Sequence, residues 1–167
     1  MSRSIRFYAD RTNQQLYFAR LACQQAEQMQ HENVQKAQAH REQAVFHLYG
    51  AFHAFLRELV RFYRLQDLSP TLQSIAQALA KQGQISPEIN QLQALAEQGL
   101  LKQLNQAFHA CLYTPDAPQA QPEQESALII KAMQNEQTWL PDVEQLREWH
   151  GQWVELYDRF RAEMVEF

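Results

Sequence analysis

The chain reads as an all-α protein: a helical bundle of about four major helices, short helices inserted between 70 and 113, and one Pro-rich linker. Three observations predict this. Only 4 of the 167 residues are Gly, too few for the tight turns of a β-rich chain. Gln occurs 26 times beside abundant Ala and Leu, all good helix formers. Apolar residues recur at steps of three and four over most of the length, the period of a helix with one buried face. At 46% apolar, residues 1–167 have the size and composition of a single globular domain.

The first helix is predicted to start near Asp10–Thr12. Thr12 and Gln15 have the spacing of a capping box, and Asp10 offers a competing cap. Leu16, Ala19, Cys23, Ala26 and Met29 then share one face. The polar stretch His31-Glu32-Asn33 holds no Pro or Gly and suits either a short turn or an unbroken helix. The second helix, about 34–65, is the expected centre of the fold. Val45, Leu48, Tyr49, Ala51, Phe52, Phe55, Leu56, Leu59 and Val60 fall within an arc of about 180° around its axis. A surface helix buries only ~100°, so neighbours should cover this one on two sides.

Asp67-Leu68-Ser69-Pro70 ends that helix. Ser69 as cap and Pro70 at the first helical position predict a third helix to about Gln82, closed by Gly83. Ser86-Pro87-Glu88 repeats the start signal for a helix to Gln98, where Gly99 ends or kinks it; another covers about 100–113. Residues 114–125 contain Pro115, Pro118 and Pro122, which predicts an extended, flexible linker. For Ser126–Gln137 the apolar run is too short to separate strand from helix. Pro141, Asp142 and Glu144 open the last helix with a rigid start and negative charge on the positive end of its dipole. Its seam of Leu146, Trp149, Trp153, Leu156, Phe160, Met164 and Phe167 is expected to dock along the second helix, with Trp153 near the centre.

No run of ~18 apolar residues is present, so no transmembrane helix is expected. The basic start Met1-Ser-Arg-Ser-Ile-Arg6 is followed by no apolar region, which argues against a secretory signal. Cys23 and Cys111 sit in helical patterns and read as buried thiols of a reducing compartment rather than as a disulfide, so a cytoplasmic location is expected. The net charge of −4 hides an asymmetry. Residues 1–83 hold 10 Lys+Arg and 6 Asp+Glu; residues 84–167 hold 5 and 13. A basic half can face nucleic acid, but +4 over 83 residues is a thin field for a phosphate backbone. Helices of opposite charge packed side by side are the favoured reading.

Candidate chemistry is sparse. Three residues before each of the six His stand Gln28, Ala37, Ala44, Gly50, Gln106 and Arg147, so the Glu-x-x-His of di-iron bundles is absent, and so is His-Glu-x-x-His. No metal or other cofactor is expected. Arg41 and His47 fit the Arg-x5-His spacing of HEPN-type ribonucleases, at a frequency that chance also supplies. His53, Arg57, Arg61 and Arg64 form a row on the second helix, opposite its apolar arc. Such a row can bind an anion or a partner through bidentate guanidinium contacts. It equally suits a solvated face paired with Glu155, Asp158 or Glu163, and that reading is favoured. Trp139, Trp149, Trp153 and Tyr157 could line an aromatic pocket, though at helical spacing core or interface is the expectation. No Gly-rich phosphate loop or catalytic triad pattern occurs.

Asn13-Gln-Gln-Leu-Tyr-Phe-Ala-Arg-Leu21, Phe46-His-Leu-Tyr-Gly-Ala-Phe52, Arg61-Phe-Tyr-Arg-Leu65, His109-Ala-Cys-Leu-Tyr-Thr-Pro115 and Met164-Val-Glu-Phe167 are similar to stretches of a family of short all-helical bacterial proteins, a domain of unknown function. The resemblance implies a helical cytoplasmic protein with no assigned activity, and it carries over no functional residues. The function expected from these readings is a non-enzymatic protein–protein interaction module with an unknown protein partner or a second copy of itself. A nucleic-acid-binding or HEPN-like ribonuclease bundle is the alternative.

Overall fold

Apolar stripes at helical spacing must be covered, and the chain covers them by folding its two longest helices back on each other and laying the last one in their groove. A computed structural model describes the backbone of residues 3–66, 69–113 and 140–165, with side chains between 9 and 164 within those spans. The helices are α1 (Arg3–Met29), α2 (Val34–Phe62), α3 (Leu72–Lys81), α4 (Pro87–Gln98), α5 (Leu100–Leu112) and α6 (Val143–Val165). There is no strand among the described residues. The expected linker at 114–125, the ambiguous 126–137 stretch, Trp139 and Phe167 lie outside the described residues.

The helix ends show which local signals decide structure. α1 begins at Arg3, upstream of the predicted Asp10–Thr12 start. No Pro or Gly interrupts residues 3–12. Thr12 is fully buried within the helix, and its hydroxyl donates to the Glu58 carboxylate instead of capping. His31-Glu32-Asn33 is a turn, and Asn33 caps α2 by accepting the Lys36 N–H at 2.9 Å. α2 stops at Phe62, three residues short of the predicted 65, in a reverse turn in which Arg64 N donates to Arg61 O and Leu65 N to Val60 O. That 5→2 and 6→1 pattern is a Schellman motif.

α3 starts two residues later than predicted. Thr71 and Ser74 exchange side-chain and backbone hydrogen bonds, a reciprocal box that Ser69 could not form with Leu72 three residues on. Gly83, at φ +66, closes α3 with a second Schellman turn. Ser86 caps α4 with Pro87 in its first turn, as predicted, and Gly99 separates α4 from α5. Asp142 caps α6, its carboxylate accepting the Gln145 N–H at 2.8 Å. Pro141 therefore precedes the cap.

One apolar core runs through all six described helices. α1 and α2 form an antiparallel hairpin. α6 lies antiparallel to α1, since Arg147 meets Glu27 and Arg161 meets Asn13. It lies parallel to α2, since Phe52 meets Trp153 and Phe55 meets Phe160. α5 covers another side of α2, and α4 and α3 extend from α5. The wide apolar arc of α2 is thus covered from several sides, as its width predicts. The inward face of α1 is small, with Ala19, Ala22, Cys23 and Ala26 buried. That lets the large rings of α6 approach: Trp153 and Tyr157 are 0% exposed, and Phe160 1%.

Trp153 sits at the centre of this contact, stacked on Phe52 at 6.0 Å and Tyr157 at 5.1 Å. Trp153→Ala is expected to cost ~3–5 kcal/mol, a large share of the ~5–15 kcal/mol of a typical domain. Urea unfolding measures this, and a loss under ~1 kcal/mol would place the ring outside the core.

Candidate functional site

Of the predicted row, His53, Arg57 and Arg61 lie on α2 and Arg64 lies beyond its end. His53 is half-buried against Tyr49 at 4.6 Å and Phe52 at 5.2 Å, and burial lowers its pKa. Arg57 and Arg61 are exposed on the outer side of α2. Arg64 has left the helix, because it occupies the left-handed position of the Schellman turn at φ +54. Glycine normally fills that position, since any Cβ there crowds the following carbonyl. Arg64→Gly is therefore expected to raise stability by about 0.5–1 kcal/mol. An unchanged or lower urea midpoint would show that the Arg64 side chain holds the turn.

The described tryptophans, Trp149 and Trp153, are buried. Trp149, Trp153 and Tyr157 are core, and their Nε1 and hydroxyl groups are buried without a hydrogen-bond partner among the described residues. The apolar area of such rings outweighs that desolvation. Burial, then the nearby Glu58 carboxylate, pushes the Tyr157 phenol far up. The ion pairs across α6 place an acid of the basic half against an arginine of the acidic half: Glu27 with Arg147, and Glu58 with Arg161. Glu58 is the notable one. It is buried at 4% exposure, receives the Thr12 hydroxyl, and takes Arg161 Nε at 3.0 Å and Nη2 at 2.8 Å. Arg161 Nη1 reaches Asn13 Oδ1 at 2.9 Å, so the cluster ties α1, α2 and α6 together. A second buried carboxylate, Glu88, accepts the Tyr63 hydroxyl at 2.6 Å and the Ser86 hydroxyl at 2.7 Å, joining the end of α2 to α4. Both clusters are satisfied from within and read as structure.

Of Arg41 and His47, the histidine is likewise engaged and Arg41 is half-buried. His47 Nδ1 lies 2.8 Å from Gln15 Oε1, which can only accept, so the proton is on Nδ1. Its ring packs edge-on to Phe18 at 5.3 Å. Gly50 makes room, because a Cβ there would meet Gln15 Oε1 at 3.0 Å. Burial and then the charge of Arg11 lower the His47 pKa. Among the described residues no three His, Cys, Asp or Glu side chains are placed to hold a metal ion.

What the sequence reading missed is an aromatic surface between α2 and α5. Phe108 stacks flat on Tyr49, centroids 3.8 Å apart and planes 9° from parallel, and meets Phe46 edge-on at 5.3 Å. Tyr49 continues to His53, and His109 stacks on Tyr113 at 6.2 Å beyond Phe108. Phe46 is 38% exposed, Leu112 49% and Tyr113 67%. Phe46 projects within about 20° of His53 around α2, in the sector that also carries Arg57 and Arg61. An aromatic out of phase with the apolar arc was the available signal.

The histidines give the fold a pH dependence of defined sign. His47 and His53 are both held below their ordinary value of 6.5 by burial. The unfolded chain therefore takes up protons first as pH falls, so stability is full above 6.5 and lost as pH drops through the depressed folded values. The urea midpoint is expected to fall between about pH 7.5 and pH 5. His47→Gln and His53→Gln should each flatten the profile; an unchanged slope in both would remove these two histidines as its cause.

The family model of a family of unknown function, DUF6586, matches residues 8–167, so the chain belongs to that family. No curated protein matches the chain, and no solved structure does.

Proposed function

We propose that this member of the family is a non-enzymatic helical interaction module that pairs with a second copy of itself through the α2–α5 aromatic surface. The carrying observation is the exposure of Phe46, Leu112 and Tyr113 around the Tyr49–Phe108 stack. Large rings spend apolar area in water there, Tyr113 most of all. Aromatic residues with flanking arginines are the side chains that carry most binding energy at protein interfaces. Arg57 and Arg61, one and two turns beyond His53, supply a polar margin to the same sector. A cytoplasmic location is part of this reading, supported by two thiols that are free, one buried and one half-buried. No described helix is long and apolar enough to cross a membrane.

Sedimentation across a concentration series tests the proposal. The wild-type chain should show a monomer–dimer equilibrium. The double variant Phe46→Ser/Tyr113→Ser should stay folded by circular dichroism and shift to monomer, with Kd raised at least tenfold, about 1.4 kcal/mol. A dimer of unchanged affinity in the variant, or a monomer at every concentration in the wild type, would overturn it. RNA binding that weakens steeply with salt in the same preparations would move the reading to nucleic acid.

A further inference from the structure

A separate pocket lies between α1 and α6. It has a volume of about 280 Å³ and is lined by Arg20, Cys23 and Gln24 of α1 and by Arg147 and His150 of α6. Two guanidiniums, an imidazole and an amide thus surround one cavity, and no carboxylate lines it. This is a local island of positive charge against a helix from the acidic half of the chain.

The two guanidiniums and the imidazole each have a partner. The Arg20 guanidinium stands over the Tyr17 ring at 5.2 Å. Arg147 is gripped through Nη1 and Nη2 by the Glu27 carboxylate at the rim. That pair uses two of the five N–H donors of a guanidinium, and three remain for another acceptor. His150 Nε2 donates to the Leu16 carbonyl at 3.0 Å, which fixes the ring on the cavity wall. At the floor, burial pushes the Cys23 thiol up to about 11. It stays protonated at neutral pH and adds no negative charge to repel a ligand. Counting Glu27, the cluster carries two positive charges and one negative with His150 neutral.

We infer that this pocket binds a small oxyanion-bearing molecule, its phosphate or carboxylate group held between Arg20 and Arg147 and its short body resting on Cys23 and the Gln24 stem. Guanidiniums suit both head groups because their paired N–H donors match two oxygens at once. The cavity lies just under the ~300 Å³ at which drug-sized sites begin, so the ligand is a compact acid and not a dinucleotide. Preorganisation of both arginines lowers the ordering cost of binding.

Thermal unfolding of the intact chain tests this with inorganic phosphate and with benzoate, each against sodium chloride at matched ionic strength. One of the two should raise the midpoint by roughly 3–6 °C at ten times its dissociation constant. Which one does so identifies the head group. Arg20→Gln, an exposed position, should leave the starting midpoint in place and weaken the anion by about 10–100-fold, the worth of a charge-assisted hydrogen bond. Lys102→Gln, the same charge change on exposed α5, should leave the affinity as it was. No shift with either anion, or an equal shift in Arg20→Gln, overturns the assignment. Equal weakening in Arg20→Gln and Lys102→Gln also overturns it, as a general charge effect.

Discussion

The buried carboxylate of Glu58 sets the terms for the rest of the structure. A carboxylate at that depth cannot remain without partners, and two residues from two other helices meet it, Thr12 from α1 and Arg161 from α6, with Asn13 holding Arg161 in turn. Removing one partner from such a cluster typically costs ~3–5 kcal/mol, because a charge is left buried and uncompensated. The cluster also penalises misregister. Sliding α6 by one residue would turn Arg161 by about 100° away from Glu58, a far sharper penalty than apolar contacts impose.

Around that anchor the packing follows size. α1 offers Ala19, Ala22, Cys23 and Ala26 where α6 offers Trp149, Trp153 and Tyr157. Small against large keeps two backbones close while filling the space between them, so the aromatic side chains of α6 reach through to Phe52 and Phe55 of α2. The same economy explains Gly50. Its missing side chain seats Gln15, and Gln15 fixes His47.

Much of the fold was legible because it is written in local periods. The α6 seam, the Ser86-Pro87 start and the Gly83 stop each depend on residues within one or two turns. Thr12 misled because a threonine that caps a helix and one that reaches across to a buried acid look alike in sequence. Arg64 misled because Schellman turns are recognised by glycine, and here the hydrogen bonds of Leu65 and the burial of its side chain impose the turn on an arginine. The candidate row was read from α2 alone, and α2 alone cannot reveal that Phe108 draws Tyr49 and His53 into an aromatic stack. The Arg20–Arg147 pocket was equally invisible, since its two halves are joined only by the packing of α6 on α1.

The contact between Asn13 and Arg161 spans 148 positions of the chain. α6 is the last of the described helices to be synthesised, yet its rings complete the core of the first two. Until it arrives, the hairpin must stand with Leu16, Leu48, Phe52 and Phe55 facing an open groove and Glu58 facing water. Growth at ~5–20 residues per second makes that interval several seconds long. The nascent chain is therefore a sticky amphipathic hairpin until α6 closes over it.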